Sequence, residues 1–112
     1  MTSVGVPELG DLRAQGLCLL AVGKLVEAAE LAASMLRDEK GIPATVWDVR
    51  CVKPLDPAML ADAAAHRLVV TVEDGLREGG AGALIATTLA ERGLEEGRPG
   101  PPVLVLGVPV QF

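Results

Sequence analysis

Apolar residues in this chain follow two rhythms: short unbroken runs, and longer stretches in which they return every third or fourth position. Leu17–Val22 is wholly apolar and closes at Gly23, the pattern of a strand buried on both faces at the middle of a sheet. Lys24–Lys40 places Leu25, Ala28, Ala29, Ala32, Met35 and Leu36 on one side, with Glu27, Glu30, Arg37 and Asp38 away from it. That predicts an amphipathic helix, stopped by Gly41 and Pro43. Ala44–Val49 reads as the next strand, and its distance from Leu17 has the length of a right-handed βαβ crossover, so the two strands run parallel. Asp56-Pro57 is a helix start, because the Asp side chain can accept from free N–H groups and Pro at the first helical position loses no bond; the helix runs over Ala58–His66. Leu68–Val72 is a second apolar, β-branched run that ends abruptly at Glu73-Asp74. After it Gly79, Gly80 and Gly82 lead into Ala81–Arg92, where Ala81, Leu84, Ile85, Thr88 and Leu89 form one helical face. Gly97-Arg98-Pro99-Gly100-Pro101-Pro102 admits neither helix nor inner strand, and Val103–Leu106 is the last strand.

Ahead of these elements, Met1–Leu9 reads as an arm leading into the domain and Gly10–Gln15, ended by Gly16, as a further edge strand. The alternation of strand and helix predicts an α/β fold, a doubly wound parallel sheet with helices on both faces. Leu17–Val22 is expected at its centre, between Ala44–Val49 and Leu68–Val72, with Val103–Leu106 beyond the latter. Another helix would ordinarily cover the edge after the last strand, so the chain is expected to be a fragment that leaves apolar surface around Val108, Val110 and Phe112.

The length of 112 residues fits one domain, and a composition that is 50% hydrophobic argues for a compact core rather than disorder. With one Trp, one Phe, no Tyr and a net charge of −5, the chain lacks stacking platforms and would repel phosphate backbones, so nucleic acid is not an expected partner. No apolar run approaches the roughly 20 residues that span a bilayer, and the N-terminus has no basic segment followed by an apolar one. No membrane partner and a cytoplasmic location are therefore expected.

The carboxyl ends of strands are where ligands and partner chains meet an open α/β sheet, which singles out Glu73, Asp74, Gly79, Gly80 and Gly82. Two readings of that stretch stand. Either it contacts an anion or a partner, or the glycines only let turn and helix pack closely while Glu73, Asp74 and Glu78 are solvated. The spacing is neither G-x-G-x-x-G nor a Walker loop, since no Lys follows the glycines. Asp48 with Asp56, or Glu73 with Glu78, has the residue types of an acid/base pair, but 15 acids in the chain make chance pairs common and solvated surface is the preferred reading. His66 falls near a helix C-terminus, where a cation is favoured by the helix dipole. Cys18 and Cys51 fit no metal spacing and the single His does not complete a zinc site with them. Their strand positions put them on the order of 15 Å apart, beyond the reach of a disulfide, so both are expected to stay reduced.

Four stretches carry a family resemblance: L-L-A-V-G-K-L-V-E-A-A (19–29), V-W-D-V-R-C-V-K-P-L-D-P (46–57), V-T-V-E-D-G-L-R-E-G-G-A-G (70–82) and V-L-V-L-G-V-P-V-Q-F (103–112). In this order they resemble the C-terminal domain of the transketolase-type thiamine diphosphate enzymes, in particular the 1-deoxy-D-xylulose-5-phosphate synthases. The resemblance implies a three-layer α/β/α fold with a five-stranded mixed, mostly parallel sheet whose first strand is antiparallel, which agrees with Gly10–Gln15 as a strand. It implies an enzyme in which thiamine diphosphate and Mg are held by two preceding domains, so the partners of this domain are those domains and a second subunit. The cofactor motif of such enzymes is Gly-Asp-Gly followed by Asn. This chain contains no Asn, and Glu73-Asp74-Gly75 is not that motif, so no catalytic, cofactor-binding or metal-binding residue is carried over. Lys53, Pro54, Leu55 and Asp56 match the K-P-L-D turn of the family, which implies local structure at a strand-to-helix turn, with a domain contact as the alternative role. Cys51 departs from an aromatic common among relatives. A stand-alone binding module, or the corresponding β-chain domain of a two-subunit oxo-acid dehydrogenase, remain the alternatives.

Overall fold

Four strands with helices packed on both faces make up the described chain, residues 9–50, 54–74 and 80–108 of a computed structural model. In order these are α1 (Leu9–Gln15), β1 (Leu17–Val22), a 3₁₀ turn (Gly23–Leu25) that runs into α2 (Val26–Lys40), β2 (Ala44–Val49), α3 (Pro57–Ala64), β3 (Leu68–Asp74), α4 (Ala81–Glu95) and β4 (Val103–Val108). The sheet order is β2-β1-β3-β4 and every pairing is parallel. β1 is central, as its unbroken apolar run requires: all six of its residues are buried, and Leu17 stands opposite both Ala44 and Leu68.

Right-handed crossovers explain the layering. The chain steps from β1 outward to β2 through α2, then reverses and crosses back to β3 and on to β4 through α3 and α4. A reversal of direction at constant handedness moves the helices to the opposite face. Accordingly Ala29 and Ala33 of α2 pack with Leu19 and Val70, while Met59 of α3 and Ile85 and Leu89 of α4 pack with Leu20 and Val69 on the other side. Full burial of each large side chain among these contributes about 1.5–3 kcal/mol. The reversal lies between the carboxyl ends of β1 and β3, so Glu73 and Asp74 sit at the switch point of the sheet.

Local signals account for most of the boundaries. The Asp56 Oδ1 accepts from the Ala58 N–H at 2.9 Å and Pro57 is the first residue of α3, the start expected from Asp-Pro. Gly41 ends α2 with its N–H on the Arg37 carbonyl at 3.2 Å.

Several expectations are corrected. Gly10–Gln15 is not a strand: it lies in α1, so the described sheet has four strands rather than five and no antiparallel member. Leu12 packs toward Leu17 and Ile42 on the α2 face, Arg13 donates to the Lys40 carbonyl at 2.9 Å, and the Gly16 N–H returns to the Leu12 carbonyl at 2.8 Å. A strand pattern of period two has too few apolar residues here to compete with that docking. The buried face of α2 is also rotated from the expected one. It is lined by Leu25, Val26, Ala29, Ala33 and Leu36, whereas Ala28 and Ala32 face outward and Met35 is 51% exposed. In α4, Leu84 is exposed and Gly93 joins the buried face. β3 does not stop before its acids but continues through Glu73 and Asp74, which pair with Gly107 and Val108. Residues 1–8, Cys51, Lys53, Glu78, Gly79, Val110 and Phe112 lie outside the described residues.

Candidate functional site

At the switch point the structure brings Glu73, Asp74, Gly80 and Gly82 together, and the acids are not solvated: Glu73 is 4% and Asp74 7% exposed. Gly80 has φ +101°, a left-handed conformation that costs a side-chain-bearing residue free energy, and it turns the chain into α4. The first N–H groups of α4 then point at β3. Glu73 Oε2 accepts from the Ala81 N–H at 3.0 Å and the Gly82 N–H at 3.4 Å. A carboxylate at a helix N-terminus satisfies otherwise unpaired donors and complements the helix dipole. The acid at this helix start is therefore the protein's own, and Glu73 and Asp74 are buried rather than solvated.

The approach of α4 to the sheet is close. A Cβ on Gly82 would stand 2.5 Å from Thr71 Oγ1, 2.6 Å from Val105 Cγ1 and 3.2 Å from Glu73 Oε1. Thr71 and Val105 are paired across β3 and β4, so the helix backbone rests on a cross-strand pair. Thr71 Oγ1 is fully buried without a hydrogen-bond partner among the described residues.

The K-P-L-D turn is represented by Pro54, Leu55 and Asp56, which line one wall of a cavity of about 300 Å³ with Trp47, Asp48 and Arg50. Asp56 is committed to capping α3, and Asp48 pairs with Arg50 at 3.0 Å at the surface. Both acids thus line the cavity, each held by a partner of its own. A second, shallower cavity of about 520 Å³ lies against Gly93, Leu94 and Pro99 beyond α4.

One constellation escaped sequence reasoning. Beneath α3, one donor atom from each of Cys18, Asp62 and His66 lies within 4.8 Å of the other two. Cys18 is a buried free thiol, and burial followed by the charge of Asp62 pushes it up from 9.0 to about 12. Asp62 Oδ2 accepts from Trp47 Nε1 at 2.7 Å. His66, just past the end of α3, donates from Nδ1 to the Asp62 carbonyl at 2.7 Å. Spacing alone offered only the Asp62 and His66 positions four residues apart; Cys18 reaches them through the tertiary fold.

Among the described residues no helix is long and apolar enough to cross a membrane. The outer strand β4 carries a row of apolar side chains in solvent, with Leu104 48%, Val105 41% and Leu106 42% exposed.

Residues 12–111 match the family described as "Transketolase, C-terminal domain". Over 94 residues the chain is 44% identical to "1-deoxy-D-xylulose-5-phosphate synthase 1" of Kitasatospora griseola, covering 84% of this chain and 14% of that protein. Over 106 residues it is 42% identical to "1-deoxy-D-xylulose-5-phosphate synthase" of Dechloromonas aromatica (strain RCB), covering 92% of this chain and 15% of that one. The chain thus spans about one-seventh of the length of these relatives. A solved structure described as "Split gene transketolase, inactive beta4 tetramer" superposes with a TM-score of 0.66 at 33% identity, over 86% of this chain and 30% of the other.

Proposed function

This chain belongs to the transketolase C-terminal domain family, and from that premise we propose that residues 1–112 are the terminal domain of a 1-deoxy-D-xylulose-5-phosphate synthase, acting through contacts with the preceding domains and a second subunit. The identity of 44% over 94 residues with a synthase carries the reading. In the parent, a cytoplasmic transferase, pyruvate condenses with glyceraldehyde 3-phosphate with loss of carbon dioxide, toward isoprenoid and thiamine precursors. Thiamine diphosphate, assisted by Mg, supplies the carbanion chemistry there. The residues of this chain do not fit that cofactor: the N–H groups that start α4 already hold Glu73, and the sequence has no Asn for the diphosphate motif. On this reading the chain by itself is inactive, and the cofactor and ion belong to the preceding domains.

The apolar row on β4 supports a contact role. Among the described residues β4 pairs on one side only, with β3, and over Val103–Val108 it has no Lys, Pro or acid of the kind that keeps strand edges apart. The tetrameric state of the split-gene relative supports a second reading, in which this chain also self-associates when alone.

A domain exchange tests the proposal. The matching segment of the Kitasatospora griseola synthase is replaced by this chain, and the chimera is assayed for pyruvate decarboxylation in the presence of glyceraldehyde 3-phosphate. Retained activity in a folded chimera is expected. A folded, cofactor-loaded chimera with the parent's oligomeric state and no turnover overturns the assignment to this enzyme.

A further inference from the structure

We propose that Cys18, Asp62 and His66 form a three-ligand site for a borderline-soft divalent cation, of which Zn²⁺ is the probe of choice. Thiolate, carboxylate and imidazole are the ligand types that zinc takes, and three protein ligands with one open position is a common zinc arrangement. With bond lengths of roughly 2.0–2.3 Å, tetrahedral ligand atoms stand roughly 3.2–3.6 Å apart. The donors here lie within 4.8 Å of one another, so side-chain shifts of about an ångström close the site.

The orientation of the ligands points the same way. A carbonyl oxygen only accepts, so the 2.7 Å contact from His66 Nδ1 to the Asp62 carbonyl places the ring proton on Nδ1 and leaves the lone pair on Nε2. Nε2 accepts from Thr45 Oγ1 at 3.3 Å, a long bond that an ion would replace, and Thr45 is the residue paired with Cys18 across β2 and β1. The carboxylate is anchored as well, since Trp47 Nε1 donates to Asp62 Oδ2 at 2.7 Å. Metal-binding His and carboxylate side chains characteristically have such outer partners, which fix the ring and the carboxylate before the ion arrives.

Accessibility is graded in the useful direction. Cys18 is fully buried at the floor, while Asp62 and His66 are half-buried and open the site toward solvent. Binding replaces the thiol proton by the ion and releases that proton to solvent, so affinity rises with pH.

The site is tested with Co²⁺, whose bond to thiolate gives an absorption band that carboxylate or imidazole binding does not. The full chain carrying Cys51→Ser, which removes the only other thiol, is titrated with Co²⁺ and then with competing Zn²⁺. One equivalent is expected to develop the band and Zn²⁺ to abolish it. His66→Asn, at a half-buried position outside the core, should weaken Co²⁺ binding at least tenfold, and Trp47→Phe by a smaller factor while circular dichroism stays native. Cys18→Ser should remove the band. If Cys18→Ser fails to fold, His66→Asn still decides. Absence of the band, or a band of unchanged affinity in His66→Asn, overturns the proposal.

Discussion

Gly82→Ala is the most demanding substitution that the structure offers. A methyl there stands 2.5 Å from Thr71 Oγ1 and 2.6 Å from Val105 Cγ1, about 1 Å inside ordinary contact. Val105 is 41% exposed and can rotate away, but Thr71 is fully buried and its branched side chain is stiff. Relief must then come from lifting the start of α4, which lengthens the bonds from the Ala81 and Gly82 N–H groups to Glu73. Overpacking costs about 1–3 kcal/mol. Weakening a charged cap adds on the order of 1 kcal/mol. The helix-propensity gain of Ala over Gly, at most about 1 kcal/mol in a helix interior, is smaller at the second residue of a helix. The net expectation is a loss of about 2 kcal/mol, or on the order of 8–12 °C in Tm for a domain of this size. Urea unfolding followed by the fluorescence of Trp47, the only Trp in the chain, measures it directly. The double variant Gly82→Ala with Thr71→Ala should recover part of the loss. A Gly82→Ala protein as stable as the parent would refute the argument that α4 rests on the Thr71–Val105 pair.

Three further outcomes are expected. Glu73→Ala leaves the Ala81 and Gly82 N–H groups without their acceptor and should cost about 1–3 kcal/mol in the same unfolding assay, with Glu73→Gln costing less because an amide oxygen can still accept. Asp56→Ala removes the acceptor for the Ala58 N–H and should cost about 1 kcal/mol, whereas Asp56→Asn should keep most of it. Leu104→Lys with Leu106→Lys, at side chains that are 48% and 42% exposed, should reduce self-association in sedimentation velocity while changing the stability of the monomer by only about 0.5 kcal/mol.

The sheet was legible because its signals are local and redundant. Leu17–Val22 is apolar without interruption, which only a central strand tolerates, and once it is central the crossover rule orders Ala44–Val49, Leu68–Val72 and the last strand around it. Asp56-Pro57 announced its helix for an equally local reason. What misled was tertiary. Helical periodicity fits two neighbouring faces of an Ala-rich segment equally well, and only the contact of Ala29 and Ala33 with β1 and β3 chooses between them in α2. Gly10–Gln15 has no decisive period, so docking beside Leu17 and Ile42 sets its conformation. The acids at the end of β3 look like surface in one dimension. Their burial follows from the N–H groups of α4, which begins several residues later. The Cys18, Asp62 and His66 cluster was invisible for the same reason, since Cys18 and Asp62 are 44 positions apart along the chain.

The central position of β1 also has a consequence for biosynthesis. Its six buried residues are the first of the sheet's strands to be made, yet one of its neighbours, β3, begins only at Leu68. At roughly 5–20 residues per second, the interval between Val22 and Leu68 is on the order of 2–9 seconds. Throughout that time the nascent chain carries an apolar strand whose β3-side edge has nothing to pair with, even after β2 has been made. The middle of this sheet is translated first and waits through β2 and α3 for its second neighbour.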